Sequence, residues 1–304
     1  MTQAAANQVG LVNGVLDFDP VTFRTHYNRA AFQFSHRFVD QPLLSVPALL
    51  KLARRLPVDN VHQHRADIKI NEDFYNAAKY HPTNQTIEET MRILEVPGSS
   101  YVMLTNPTDD PEYAELLSPL WEEVGELVDP LDPGRCDHMS FIFISSPRAV
   151  TPFHVDRVAN FHLQVQGEKV IQLWDPFDRV VLTDADLSHV VAEPRTYHAP
   201  YKPAFQSRAQ NFAQKPGLGV HHPWGAPHAV EVGPNVSVSI AITFRSRAMK
   251  RRIELHEVNH QLRRLGLRPR EVGQSPWRDS LTFMAFRLYR GVKRVLRGGG
   301  TGAE

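Results

Sequence analysis

Cysteine is almost absent from this sequence of 304 residues, and other features that define particular protein classes are missing too. The single cysteine, Cys136, excludes an internal disulfide and fits a reducing compartment. The chain does not start with a positively charged segment followed by an apolar one, and no apolar run is long enough to cross a bilayer. We therefore expect a cytoplasmic protein without a transmembrane segment.

The sequence also lacks a large net charge, and it contains no internal repeats. The formal net charge is +1, so the composition gives no specific signal for nucleic acid binding. Charge is nevertheless uneven, because residues 245–298 contain 15 basic and only 4 acidic side chains. With 42% hydrophobic and 22% charged residues, the chain can bury a sizeable core. These features indicate a globular protein with a basic C-terminal segment.

Helical patterns dominate the first part of the chain. N-cap candidates at Asp19, Ser45 and Thr86 precede apolar-periodic segments, and Glu89 completes a capping box with Thr86. The predicted helices cover residues 20–29, 46–56, 87 to about 97, and 111–128, with a strand at 101–105. We expect residues 1–132 to form a mostly helical region packed on a barrel.

The pattern changes to short strands after about residue 133. The predicted strands cover residues 139–145, 158–166, 169–174, 220–222, 229–232 and 236–244, with weaker candidates at 180–182 and 189–191. Many short strands separated by Pro, Gly and Asp turns are typical of an antiparallel sandwich or jelly roll. Helices that precede strands instead of alternating with them disfavour a Rossmann-like sheet. The fold class predicted is therefore mainly β, with its core in residues 133–246.

Residues 247–304 are expected to form a basic, helical C-terminal extension. One helix pattern spans residues 245–265, and a second begins at the N-cap candidate Asp279 and carries an apolar stripe. The stripe could dock on the barrel or on a second copy of the chain, giving a homodimer through the C-terminal helices. A basic amphipathic helix could alternatively bind a membrane surface or an acidic partner.

The stretch Thr151–Asp156 contains the residues most suggestive of chemistry. In an extended chain His154 and Asp156 point to the same side, and they would supply two ligands of a 2-His-1-carboxylate triad, which holds Fe(II). The residues alone leave His221, His222 and His228 as candidates for the third ligand; His221 and His222 are strand neighbours, so at most one of them can join.

Lys169 is the second unusual residue of this region. It stands in an apolar strand pattern, so it should be either exposed on the outer face of a sheet or buried with an anionic partner. No acidic residue is an obvious partner in the sequence, and a bound dicarboxylate would supply one.

A family resemblance connects these residues. Thr151-Pro-x-His154-x-Asp156, followed by Asn160-Phe161, Gln164, Gly167 and Lys169, resembles the JmjC-type cupin hydroxylases, close to the asparaginyl-hydroxylase branch. Upstream, Tyr101 resembles the tyrosine of that family which helps to bind 2-oxoglutarate. Downstream, Pro216-Gly217-x-x-Val220-x-x-Pro223 before His228 resembles the approach to the distal metal ligand. The similarity extends from about Tyr101 to Phe244.

The resemblance implies a double-stranded β-helix and an Fe(II)- and 2-oxoglutarate-dependent dioxygenase that uses O2 and releases succinate and CO2. His154, Asp156 and His228 would bind Fe(II). Lys169, Thr151 and Tyr101 would hold the distal carboxylate of 2-oxoglutarate. Asn160 and Thr243 would support the end of 2-oxoglutarate that binds the metal, or the site at which oxygen binds. The implied substrate is a protein, a peptide or an amino-acid-like molecule.

Two departures from the family affect the substrate more than the cofactors. Thr243 stands where relatives often carry Asn, and Trp224-Gly225-Ala226-Pro227 replaces a more aromatic segment. The alternatives are a non-catalytic metal-binding cupin that serves as a sensor or regulatory module with a basic tail, and a demethylase with the same core. A buried Lys169 discriminates against the non-catalytic module, which has no need of it.

Overall fold

The computed structural model describes residues 14–298, with side chains described as far as Leu288. Its α-helices are α1 (Pro20–His26), α2 (Val46–Arg55), α3 (Ala77–Tyr80), α4 (Ile87–Arg92), α5 (Pro111–Val128), α6 (Asp184–Ala192), α7 (Arg247–Arg264) and α8 (Pro276–Gly298). Its strands are β1 (Leu16–Asp17), β2 (Phe32–His36), β3 (Val61–His64), β4 (Tyr101–Thr105), β5 (Cys136–Ser145), β6 (Val150–Val155), β7 (Ala159–Gln166), β8 (Lys169–Leu173), β9 (Gln210–Gln214), β10 (Leu218–His222), β11 (Pro227–Val232) and β12 (Ser237–Arg245).

Two antiparallel sheets make up the core. The larger one has eight strands in the order β1-β2-β10-β7-β12-β5-β4-β3, and the smaller one has four in the order β6-β11-β8-β9. The non-sequential neighbours are those of a jelly roll, in which the chain crosses between sheets. The predicted mainly β fold class is confirmed. Strands β1 to β4, which precede residue 133, extend the larger sheet at both of its edges.

The helices cover the outside of the sandwich. Helix α5 has the bounds that its apolar spacing predicts; Asp110 caps it, and Leu117, Leu120 and Val124 are fully buried. The capping box of Thr86 and Glu89 is present at the start of α4, although that helix ends at Arg92, earlier than predicted.

Two weak strand predictions are wrong. Residues 180–182 form a turn, and residues 189–191 belong to α6. The side chain of Thr183 accepts a hydrogen bond from the backbone N–H of Asp186, which caps this helix, and Leu187, Val190 and Val191 recur at helical spacing and are buried. Helix capping and the helical period together outweigh the β propensity of the valines.

The segment around Pro152 forms a strand that is not among the predicted ones. Pro152 lies in β6, which is the edge strand of the smaller sheet. A proline is tolerated there because an edge strand needs only one set of ladder hydrogen bonds. Strands β1, β2, β3 and β9 also went unpredicted, since they are short and largely polar on their exposed face.

The C-terminal extension contains both predicted helices. Helix α8 begins at Pro276, and Asp279 therefore lies in its first turn instead of capping it. The backbone N–H of Asp279 donates to the carbonyl of Ser275, a helical hydrogen bond that places the helix start before it. Among the described residues, no helix combines the length and the apolar character needed to cross a membrane.

The turn between β7 and β8 depends on glycine. Gly167 has a φ of +70°, and a Cβ atom there would clash with the carbonyl oxygen of Val236. A non-glycine residue held in the left-handed region of the backbone costs roughly 1–3 kcal/mol. We expect Gly167→Ala to lower the free energy of unfolding by more than this, because the added Cβ atom would also clash. Urea denaturation measures this, with Gly266→Ala as the matched control, because Gly266 has a φ of +80° and open space around it. Equal losses in both variants would contradict the steric part of the argument.

Candidate functional site

A cavity of about 270 Å³ lies between the two sheets. All eight site residues that the sequence suggests line it: Tyr101, Thr151, His154, Asp156, Asn160, Lys169, His228 and Thr243. The larger sheet contributes Tyr101, Asn160 and Thr243, and the smaller sheet with the loop after β6 contributes the others. The remaining lining is mainly aromatic and aliphatic, as is usual for a binding site with a few placed polar groups.

Two imidazoles and one carboxylate converge at one end of this cavity. His154 on β6 and His228 on β11 are direct partners in the register of the smaller sheet, and their ring centroids lie 4.0 Å apart. Asp156 follows β6 by one residue, and its carboxylate oxygens lie 4.0 Å from Nε2 of His154 and 3.6 Å from Nε2 of His228. One ligand atom from each residue lies within 4.8 Å of the others, a spacing suited to a shared metal ion.

Hydrogen bonds orient both rings toward the carboxylate. Nδ1 of His154 lies 2.7 Å from the carbonyl oxygen of Pro152, and Nδ1 of His228 lies 3.1 Å from that of Ala226. A carbonyl can only accept, so Nδ1 carries the proton in each ring and the lone pair of Nε2 faces the centre of the triad. Burial, and then the neighbouring His228, lower the pKa of His154 to about 3, which keeps it neutral. The donor set therefore fits Fe(II).

Lys169 lies on β8 with its ammonium buried in the same cavity. Its side chain is 5% exposed, and Nζ donates a hydrogen bond of 2.7 Å to Oγ of Ser239 on β12. Within residues 14–298 no carboxylate forms an ion pair with it, and burial lowers the pKa of Lys169 to about 7. Of the two placements expected for this lysine, the structure shows the buried one, with a hydroxyl and no carboxylate beside it among the described residues. A small dicarboxylate fits that deficiency.

The other four candidate residues surround the space between the triad and Lys169. Tyr101 is buried, stacks on His64 at 4.8 Å, and shares a side-chain hydrogen bond with Thr151. Burial raises the pKa of Tyr101, so it remains a hydroxyl. Asn160 and Thr243 are paired across β7 and β12. Oδ1 of Asn160 has no hydrogen-bond partner among the described residues, whereas Thr243 donates to the carbonyl of Met139.

Sequence reasoning missed His162 in this cavity and considered His222 only as a possible metal ligand. Both histidines are buried, and Nε2 of His162 and both ring nitrogens of His222 lack partners within the described part of the chain. Burial, followed by the nearby Lys169 and His228 respectively, holds the pKa of each well below the usual range. The alternation of Asn160, His162 and Gln164 on β7 was the available signal.

The strand neighbours His221 and His222 point to opposite faces, as expected. The ring of His222 lies 4.8 Å from that of His228 at the cavity, while His221 packs among Tyr27, Phe32 and Phe161. Trp224 also lies away from the cavity, under Arg252 of α7.

Aromatic side chains cover the triad. The ring of Phe74 stacks on that of His154 with centroids 4.0 Å apart, and the hydroxyl of Tyr75 donates to the carbonyl of Val155 at 2.6 Å. Phe141 and Phe143 line the opposite wall. This lining limits the contact of the two buried imidazoles with bulk water, which strengthens their electrostatic interactions, whereas the side chain of Asp156 is 33% exposed.

Comparison with known proteins gives a family and a fold. A family model described as a cupin-like domain matches residues 45–257. No curated protein matches the sequence. The X-ray structure of E. coli ycfD has a TM-score of 0.51 and 16% identity, over 90% of this chain and 68% of that one.

Two further structures are similar in the same way. One is described as Escherichia coli ribosomal oxygenase YcfD (TM-score 0.49, 15% identity, 90% of this chain and 67% of that one). The other is described as YcfD in complex with cobalt and 2-oxoglutarate (TM-score 0.45, 16% identity, 90% and 67%). Of the three, the structure with a TM-score of 0.51 supports the fold, and at 16% identity it supports the fold alone.

The buried ammonium should destabilise the ligand-free protein. We expect Lys169→Met, which keeps the volume, to raise the free energy of unfolding at neutral pH. The difference between pKa 10.5 and about 7, at about 1.4 kcal/mol per unit, sets an upper limit of about 5 kcal/mol.

The increase in the free energy of unfolding that Lys169→Met should cause depends on pH with a definite sign. Between pH 7 and 10.5 the unfolded lysine is protonated and the folded one is neutral, so the wild type becomes more stable as the pH rises. The advantage of Lys169→Met should thus be largest below pH 7 and should fade toward pH 10.5. Urea denaturation of both proteins across this range is the measurement, and a variant less stable than the wild type at pH 7 would contradict the assignment.

Proposed function

Since the chain belongs to the cupin-like domain family, we propose that it is an Fe(II)- and 2-oxoglutarate-dependent dioxygenase that hydroxylates a protein, peptide or amino-acid-like substrate. The proposal rests above all on one observation. A triad of two imidazoles and a carboxylate shares a largely apolar cavity with a buried ammonium that has no carboxylate partner among the described residues. The first group fits a divalent metal, and the second fits one end of a small dicarboxylate.

The residues of the cavity divide into three roles in this proposal. His154, Asp156 and His228 hold Fe(II) through Nε2 and a carboxylate oxygen. Lys169, Thr151 and Tyr101 hold the distal carboxylate of 2-oxoglutarate by charge-assisted hydrogen bonds. Asn160, whose Oδ1 is unpartnered, and Thr243 support the metal-bound end of the co-substrate or the oxygen site.

When bound, iron and 2-oxoglutarate supply the oxidising chemistry, in which O2 is consumed, succinate and CO2 are released, and a C–H bond of the substrate is hydroxylated. The chain itself contributes binding, orientation and exclusion of water. The carbonyls of Pro152 and Ala226 fix the ring orientations of the two histidines. Phe74 and Tyr75 shield the triad on the side of His154.

A close relation to the asparaginyl-hydroxylase branch and a cytoplasmic location are part of the same proposal. They are supported by the motif from Thr151 to Lys169 and by the single cysteine. A non-catalytic metal-binding module is the second candidate. It accounts for the triad, but it gives no reason to bury Lys169, and this residue therefore provides the test.

Anaerobic titration of the Fe(II) protein with 2-oxoglutarate tests the site directly. We expect the visible charge-transfer absorption of a chelated 2-oxo acid, followed by succinate release once O2 is admitted. His154→Ala should abolish both signals, because it removes a metal ligand. Wild-type turnover in His154→Ala would overturn the triad assignment.

The variants Lys169→Ala and Lys169→Met distinguish the binding of 2-oxoglutarate from the binding of the metal. Both should weaken 2-oxoglutarate binding at least about 100-fold, the loss expected when a buried charged hydrogen-bond partner is removed, and leave Fe(II) affinity nearly unchanged. Lys215→Ala, on the exposed loop after β9, is the control that should leave both affinities unchanged. Equal 2-oxoglutarate affinities in Lys169→Met and wild type would favour the non-catalytic module.

We also propose that α8 forms a homodimer with a second copy of the chain. Trp277, Leu281, Met284 and Leu288 follow the 4-3-4 spacing of a coiled-coil seam, and each is more than half exposed. A seam that is identical in both copies can pair about a two-fold axis.

Light scattering coupled to size-exclusion chromatography tests the dimer. Because α8 is basic, its two copies repel each other, and raising the salt concentration should strengthen the dimer. Leu281→Glu should give a monomer, whereas Val58→Glu, at an isolated and exposed apolar residue, should not. A wild-type protein that is monomeric at all salt concentrations would rule the dimer out.

A further inference from the structure

A second group of two imidazoles and one carboxylate lies between α6 and α7. It consists of His189 in the last turn of α6, Glu193 immediately after that helix, and His260 near the end of α7. None of the three lines the cavity between the sheets. Their ligand atoms lie within 4.8 Å of one another, the same criterion that the first triad meets.

Both imidazoles approach the same carboxylate from different sides. Nε2 of His260 lies 3.0 Å from Oε1 of Glu193, and Nε2 of His189 lies 3.7 Å from Oε2. The two rings are 4.7 Å apart. His189 and Glu193 are separated by one helical turn, which brings their side chains to the same face, and His260 comes from the neighbouring helix.

Surrounding side chains hold these groups in place. The ring of His189 stacks on Tyr197 with centroids 3.7 Å apart and an angle of 11° between the planes. The hydroxyl of Tyr197 is itself bonded to Asp186, and Thr196 donates to Oε2 of Glu193 at 3.2 Å. His260 is 7% exposed, so its position is set by packing. Such outer contacts are what orients the ligands of a metal site.

We propose that His189, Glu193 and His260 form a second metal site, selective for a zinc-type divalent ion, that cross-links α6 to α7. Two neutral imidazoles and a carboxylate are a common zinc ligand set, and the partly exposed face leaves room for a water molecule as the fourth ligand. Ions that prefer only oxygen ligands, such as Mg²⁺ and Ca²⁺, are disfavoured by the two nitrogens.

One cation competes with the metal. Arg264 has Nη1 3.9 Å from Oε1 of Glu193, but its side chain is 64% exposed. An exposed ion pair of this kind is weak, so a bound ion can displace it. Cross-linking would add to contacts that already join the two helices, including the bond from Arg263 to the buried Asp184.

Zinc binding measured in a His154→Ala background separates this site from the first triad. Equilibrium dialysis against Zn²⁺ alone, followed by metal quantification, should give about one ion per chain in His154→Ala and about none after adding His260→Gln. Zn²⁺ should also raise the Tm of His154→Ala but not that of the double variant.

The glutamine substitution is chosen because it can still hydrogen-bond to Glu193. If His260 served only that hydrogen bond, His260→Gln would leave both zinc capacity and the Tm response unchanged, and that outcome would overturn the proposal. His62→Gln, at an exposed histidine on β3, is the matched control and should retain both. The absence of zinc binding in His154→Ala would also overturn it, without bearing on the dioxygenase assignment.

Discussion

The interior of the protein is constrained by the burial of the Lys169 ammonium, which has no carboxylate partner among the described side chains. An ammonium in a medium of low dielectric constant loses its hydration, and one hydrogen bond to Ser239 does not replace it. A sequence selected for stability alone would place an apolar residue on this inward face of β8. The protein therefore retains a local instability at the place where a small anion would remove it, which is the usual relation between stability and binding sites.

The geometry of the metal triad follows from strand pairing. His154 and His228 are register partners on β6 and β11, so the hydrogen bonds of the smaller sheet determine the distance between the two rings. A slip of one residue would turn one ring to the outer face. The register shifts by one residue between His228 and Val230, and regular pairing resumes beyond this irregularity, with Val230 opposite Thr151.

Local signals in the sequence predicted part of this arrangement. The pair His154 and Asp156 was found from its spacing, and α5 from its apolar period, because both depend on near neighbours in the chain. The choice of His228 over His222 needed a family resemblance, since only the sheet register shows which ring meets Asp156. The burial of Lys169 depends on which face of β8 is covered by β12, a contact between residues 70 positions apart. The helix at 184–192 was missed because valines favour strands when capping is ignored.

The larger sheet includes two strands that precede the segment matched by the family model. That segment starts at residue 45, whereas β1 and β2 lie before it and β2 pairs with β10. Removing them would leave one edge of the mostly buried strand β10 without backbone partners, while its other edge stays paired with β7. Unprotected edges of this kind recruit other chains. The first strands thus cover an edge of the larger sheet that the segment matched by the family model would leave open.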